Sequence, residues 1–139
     1  MMTSFNNILV DLYLSAPINK LYAPMMVLNQ GESEITQNFN SSLCHSKGFL
    51  HGSVLFKLLD DAAYFACQSL ENRYFMVTSN FNIHFIRPVN SGTLISKGSI
   101  LNSSTNQFVA ESTIYNSEGV IIAKGSGTFV KSNILLDFS

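Results

Sequence analysis

Residues 53–70, SVLFKLLDDAAYFACQSL, are the stretch that most constrains how this chain of 139 residues can fold. Apart from Lys57, Asp60, Asp61, Tyr64 and Gln68, they are apolar or small. Those five recur at spacings of three and four, so a helix gathers them into one stripe along an otherwise apolar rod. Such a helix is stable in water only if something wraps it. The adjacent acids are the second constraint. A carboxylate on a buried helix is costly to desolvate, and is expected to have a partner or a task.

The wrapper lies downstream. Met76–Arg87, Thr93–Leu101, Gln107–Asn116 and Val120–Lys131 read as four antiparallel strands. Pro88 ends the first, and turns fall at Asn90-Ser91-Gly92, Asn102–Asn106 and Ser117-Glu118-Gly119. Strict alternation in the first strand puts Val77, Ser79, Phe81, Ile83, Phe85 and Arg87 on one side, and Thr78, Asn80, Asn82 and His84 on the other. Upstream, Pro24–Leu28 and Glu32–Asn40 read as a strand pair around Asn29-Gln30-Gly31, with Ser33, Ile35, Gln37 and Phe39 on one side. Residues 41–52 read as a loop. Ser4 is a candidate N-cap for a short helix over residues 4–14, which Pro17 ends. Strands segregated around one long helix predict an α+β fold, a curved antiparallel sheet wrapped around a central helix, with a short N-terminal helix. The length predicts one domain over residues 1–139, its core at about 25–131.

Charged residues make up only 12% of the chain, about half the usual share, against 46% apolar. So little polar surface predicts that part of it is buried against another subunit. The net charge of −1 excludes a basic nucleic-acid footprint. Cys44 and Cys67 form no spaced framework, which predicts a reduced, cytoplasmic chain. There is no basic leader, Asp11 interrupts the first apolar run, and no run reaches the roughly 18 residues a membrane span needs, so neither a signal peptide nor a membrane partner is expected. Cys44, His45 and His51 lack metal-ligand spacing, so no metal is expected. Cys67, deep in the apolar helix, is a poor nucleophile.

A set of short motifs goes further. Gly48-Phe49-Leu50-His51-Gly52-Ser53 is followed by Asp60, nine positions after the histidine, and by Ala62-Ala63-Tyr64-Phe65-Ala66. Asn82-Ile83-His84-Phe85-Ile86-Arg87-Pro88, Gly92-Thr93 and Ala123-Lys124-Gly125-Ser126-Gly127-Thr128-Phe129 complete it. Over about residues 25–131 the chain resembles the hotdog-fold acyl-CoA thioesterases, specifically the PaaI-like, phenylacetate-pathway type. The resemblance implies hydrolysis of an acyl-CoA, or an acyl-carrier thioester, to free acid and thiol, with no cofactor beyond the coenzyme A of the substrate.

It also implies roles. Asp60 is the general base or nucleophile, and the backbone N–H of Gly52, at the positive end of the helix, holds the oxyanion. His51 orders the loop or contacts the thioester. His45 stands where the family often has Asn or Gln and can also donate a hydrogen bond. Thr78 takes the place of a Ser or Thr that orients water. Ser53 replaces a second glycine, and as a good N-cap residue should preserve the helix start. Phe49 and Tyr64 are candidate acyl-slot walls, Arg87 a candidate for the phosphates, and Asn82 a further substrate-binding candidate. Each has an ordinary reading beside the functional one: core packing for the aromatics, surface charge for Arg87, a plain strand residue for Thr78, cross-strand pairing for Asn82 and His84. Asp61, about 100° around the helix from Asp60, is read as a structural acid.

Eight residues from Gly52 to Asp60 span about 12 Å of helix, so one carbonyl does not touch both in one chain. The family's answer is a dimer, with Asp60 of one chain facing Gly52 of the other. A homodimer at minimum, and a dimer of dimers, is therefore expected. Two rival readings remain: a non-catalytic hotdog protein that binds an acyl thioester or fatty acid, and a hydroxyacyl-thioester dehydratase. The acyl group, and coenzyme A against acyl-carrier protein, stay open.

Overall fold

The computed structural model describes residues 4–137. In chain order its elements are α1 (Phe5–Ser15), α2 (Pro17–Tyr22), β1 (Met25–Asn29), β2 (Glu32–Asn38), a 3-10 turn (Ser41–Leu43), α3 (Gly52–Gln68), β3 (Tyr74–Phe85), β4 (Thr93–Ser103), β5 (Gln107–Asn116) and β6 (Ile121–Leu135). Ser4 caps α1, its side-chain oxygen accepting the Asn7 N–H at 3.1 Å. Pro17 does end α1, but it also opens α2, which the sequence reading missed. Proline suits a first helical position, where its φ is already set and its missing N–H is not needed. Ala23, in the left-handed region at φ 51°, stops α2.

The six strands form one antiparallel sheet in the order β1-β2-β4-β5-β6-β3. The expected run of four strands is therefore reordered, because β3 pairs with β6 at the sheet edge and not with β4. The connection after β3 crosses the end of the sheet. Its backbone is held in turn by Ile122, Leu50 and Phe39, through Ile86, Val89 and Gly92. Ser33, Ile35 and Gln37 are buried on one side of β2, as the alternation predicts.

Helix α3 lies across the concave face. Leu58, Leu59, Ala62, Ala63, Ala66 and Cys67 are fully buried, packed with Ile35, Leu94, Ile114, Met76 and Phe129 from the sheet. Small side chains bring helix and sheet unusually close: a Cβ on Gly98 would overlap the Ala62 carbonyl. Three inward strand serines use that closeness. Ser96 donates to the Leu58 carbonyl at 2.8 Å, Ser112 to that of Leu59 at 2.7 Å, and Ser33 to that of Ala62. Buried hydroxyls need acceptors, and helix carbonyls have a second lone pair to offer. The three bonds set the rotation of α3 on the sheet, and with it the direction of Asp60.

The faces of β3 differ from strict alternation. Thr78 pairs with Phe129 and Asn80 with Thr128, so Ser79 is an extra residue in a bulge. Met76 and Thr78 face the helix before it, and Phe81, Ile83 and Phe85 after it. Thr78 therefore does not share a face with Asn82 and His84, a correction to the sequence reading. The Phe81 ring lies over Gly125 and Gly127, where any Cβ would collide with it, and meets Phe56 of α3 with ring centroids 5.8 Å apart.

The two sheet edges are treated differently. At β1, α1 packs alongside and Asn6 donates to the Leu28 carbonyl at 3.3 Å. At β3, twelve residues long, the outer edge is uncovered in the single chain, and Phe75, Val77 and Phe85 are exposed. Open apolar edges invite another strand. Among the described residues no helix is long and apolar enough to cross a membrane.

Candidate active site

Asp60 leaves the apolar face of α3 half-buried, opposite the β3 bulge. The Thr78 hydroxyl donates to its Oδ1 at 2.9 Å. The bulge makes this contact, since without it Thr78 would point with Asn82 away from the helix. Burial raises the Asp60 carboxyl to about 6; the Thr78 hydrogen bond and the Lys57 charge pull against that rise, and the Asp61 charge adds to it. Such a group is mostly ionised at neutral pH, yet far more basic than an ordinary aspartate.

The pair stands at a cavity of about 470 Å³, within the range of small-molecule sites. Its walls come from α1–α2 (Leu12, Ile18), from α3 (Tyr64, Phe65) and from β3 (Phe75, Val77). Tyr64 lines it as expected, its hydroxyl donating to Gln68 Oε1 at 2.9 Å.

Asp61, read as a structural acid, is engaged in a network but also lines the same cavity as Asp60. It accepts Lys57 Nζ at 2.6 Å and the Tyr13 hydroxyl at 2.7 Å. Lys57 also donates to Asn19 Oδ1 at 2.7 Å, Asn19 donates to the Tyr13 carbonyl at 2.7 Å, and the ammonium lies 4.6 Å from the Tyr22 ring centroid. This network ties α1–α2 to α3. Sequence reasoning missed Tyr13 and Asn19. The available signals were the Lys57/Asp61 spacing and a proline placed to start a second helix.

At the other end of α3 the helix begins one residue earlier than expected, and Ser53 is not its cap. His51 is: its Nδ1 accepts the Ser53 N–H at 3.1 Å and lies 2.8 Å from Ser53 Oγ. An imidazole nitrogen can take the capping role of a serine oxygen because it too is an acceptor. Gly52 is thus the first helical residue, and its N–H has no intrahelical partner at the positive end of the helix dipole. The Phe85 ring stands 3.6 Å from where a Gly52 Cβ would be.

His45 and Phe49 sit on the loop before α3. His45 Nδ1 accepts the Lys47 N–H at 3.1 Å, and its ring centroid is 6.0 Å from that of Phe49. Asn82 lies opposite Ser126 on the outer face of the sheet, and Arg87 turns back to donate to the Ile121 carbonyl at 2.9 Å. Within one chain the predicted residues therefore divide. Asp60, Thr78 and Tyr64 share the cavity; His45, Phe49, His51, Gly52 and Ser53 gather at the helix start; Asn82 and Arg87 belong to neither group. Cys67 is buried, which pushes its thiol up to about 12 and keeps it unreactive at neutral pH. Among the described residues no three His, Cys, Asp or Glu side chains converge as a metal site would require.

A curved antiparallel sheet around one long helix, with an acid on that helix facing a small-molecule cavity, defines a hotdog domain with an enzyme-like site. Residues 47–123 match the thioesterase superfamily, and the chain belongs to that family. The chain is 29% identical over 103 residues to a Saccharolobus solfataricus protein provisionally named an esterase, covering 74% of this chain and 69% of that protein. The Escherichia coli PaaI protein of the phenylacetic acid degradation operon superposes with a TM-score of 0.83 at 21% identity, over 91% of this chain and 92% of that one. A Streptococcus mutans protein solved with acetyl-CoA bound superposes at 0.73 and 22% identity, over 78% and 88% of the two chains. Family membership makes the chain a thioester hydrolase in broad class.

Proposed function

We propose that the protein is an acyl-CoA thioesterase that works as a homodimer, with each site shared between two subunits. The observation that carries the reading is the half-buried Asp60, raised to about 6 and hydrogen-bonded to Thr78, at the mouth of the cavity. Asp60 takes a proton from a water placed by Thr78, and the water oxygen adds to the thioester carbonyl. The oxyanion accepts the N–H of Gly52 of the partner subunit, with His45 of the partner subunit as a second donor. The C–S bond then breaks, the proton passes from Asp60 to the departing thiolate, and acid and thiol leave. Direct attack by Asp60 on the carbonyl is the other route for the same residue. Either route balances with carboxylate, water and N–H donors, so the reaction needs no metal or redox cofactor.

The open β3 edge supports the dimer. β3 runs antiparallel to α3, with Phe85 beside Gly52 and Thr78 beside Asp60. Antiparallel pairing of two β3 edges about a dyad sets the Gly52 end of each chain near the Asp60 end of the other. Met25 and Val27, exposed on β1, offer an apolar patch for joining dimers in pairs. Arg87 and Asn82 are assigned to the coenzyme A portion, and Phe49 and Ser53 to the substrate near the helix start. The acetyl-CoA in the Streptococcus mutans relative supports a coenzyme A thioester. Two free cysteines fit a reducing cytoplasm.

The test is thiol release from acetyl-, octanoyl- and phenylacetyl-CoA by the wild type and Asp60→Asn. Loss of about a hundredfold or more in the variant is expected for removal of a general base. A wild type that binds octanoyl-CoA but hydrolyses none of the three is a ligand-binding protein instead.

A further inference from the structure

The cavity beside Asp60 is lined by six polar side chains besides the Asp60–Thr78 pair, and these are occupied with one another. Lys57 directs its ammonium at Asp61, Asn19 and Tyr13. The Tyr13 hydroxyl proton goes to Asp61, and that of Tyr64 to Gln68. Both Gln68 amide protons go to main-chain carbonyls, of Glu71 at 2.8 Å and Tyr74 at 3.0 Å. An entering carboxylate therefore meets ammonium and hydroxyl donors that are already engaged, and it also meets the like charges of Asp60 and Asp61.

The apolar wall is the converse. Leu12 and Ile18, on α1 and α2, are 45% and 53% exposed although they line the cavity. Leaving such side chains in water is unfavourable, and an apolar ligand between them and the Phe75–Val77 side would relieve it. Residues 5–22 also lie outside the 47–123 segment that matches the family, and the Lys57 network fixes them over the cavity. Ala16, where α1 meets α2, leaves the space open by its small size.

We propose that the acyl group of the substrate is an uncharged, mainly apolar chain or ring, and that Leu12, Ala16 and Ile18 of α1–α2 set its size. This rests on the thioesterase reading. The hotdog core supplies the reacting groups, and the N-terminal helices supply the measure of the chain.

The experiment compares acetyl-CoA, octanoyl-CoA and ω-carboxyoctanoyl-CoA. Turnover is measured on the wild type and Ala16→Phe; calorimetric binding is measured on Asp60→Asn with and without Ala16→Phe. Octanoyl-CoA should exceed its ω-carboxy counterpart by about tenfold or more in kcat/KM, since that carboxylate is desolvated beside Asp60 and Asp61. Ala16→Phe should lower the octanoyl-to-acetyl ratio by about tenfold, since each methylene that loses its place forfeits about fourfold. If circular dichroism shows Ala16→Phe unfolded, Leu12→Ala/Ile18→Ala, at half-exposed positions, replaces it and should lower the same ratio.

Equal turnover of the ω-carboxylated substrate, or an unchanged ratio in the folded variant, overturns the proposal while leaving the hydrolase reading intact. Tighter calorimetric binding of octanoyl-CoA, weakened by Ala16→Phe, in a protein that hydrolyses nothing supports the acyl assignment and removes the hydrolase. Neither binding nor turnover overturns both.

Discussion

Asp60 is destabilising as an ion, and in the proposed mechanism the same burial makes it a stronger base. Its folded value of about 6 lies above the 3.8 of a free aspartate, so the fold binds its proton more tightly than the unfolded chain does. The associated stability is complete below about pH 4 and is lost as pH rises through about 6. In the proposed mechanism activity follows the opposite sign, because Asp60 acts as an ionised base: kcat/KM should rise with pH through a midpoint near 6. Thr78→Val removes the hydrogen bond that favours the carboxylate, so a pH–rate profile of that variant should show the midpoint moved upward as well as a lower plateau. Asp60→Asn removes the buried charge. Urea unfolding should find it more stable than wild type by about 1–2 kcal/mol at pH 8, after allowance for partial solvent screening, with no gap near pH 4. At this scale the sequence was informative about Asp60, because nine positions from His51 is a spacing that local helix geometry preserves. It was silent on the Thr78 contact, because one bulged residue, Ser79, decides which way Thr78 points.

The same division runs through the elements. Helix α3 was legible because an apolar run with a polar stripe has few other stable forms. Helix α2 was not, since Pro17 is equally good evidence for an end and for a beginning. The network that holds α1–α2 is an element-level device: Lys57 and Asp61 expose only 12% and 19% of their side chains, so each is costly without the other. Lys57→Met should lower the urea-derived unfolding free energy by about 2–3 kcal/mol by stranding Asp61, and Lys57→Met/Asp61→Leu should recover most of that loss. If the single variant is neutral, the N-terminal helices are held by apolar contacts alone. The serines that dock α3 on the sheet were read in sequence only as inward strand positions. Their bonds to helix carbonyls exist because Gly98 and the alanines let the two layers approach.

For the whole molecule the question is whether one chain makes a site. Asp60 and the N–H of Gly52 lie toward different ends of α3, and in the proposed dimer pairing of the open β3 edges joins them. Mixing tests this directly. Asp60→Asn and Gly52→Pro each abolish a different half of a shared site, and proline is tolerated at a first helical position. After co-refolding in equal amounts, about half the dimers are mixed and hold one intact site of two, so about a quarter of wild-type activity should return. A site contained in one chain would return none. From the sequence alone came the wrapped helix, the α+β class and the acid nine positions from a histidine. These depend on composition and on spacing along one continuous element, which survive in any fold the chain adopts. The strand order, the Ser79 bulge that turns Thr78 to Asp60, and the α1–α2 wall over the cavity were decided by tertiary structure. Each depends on which distant segment packs alongside, and that is set by the global balance of burial and hydrogen bonding and not by the local pattern.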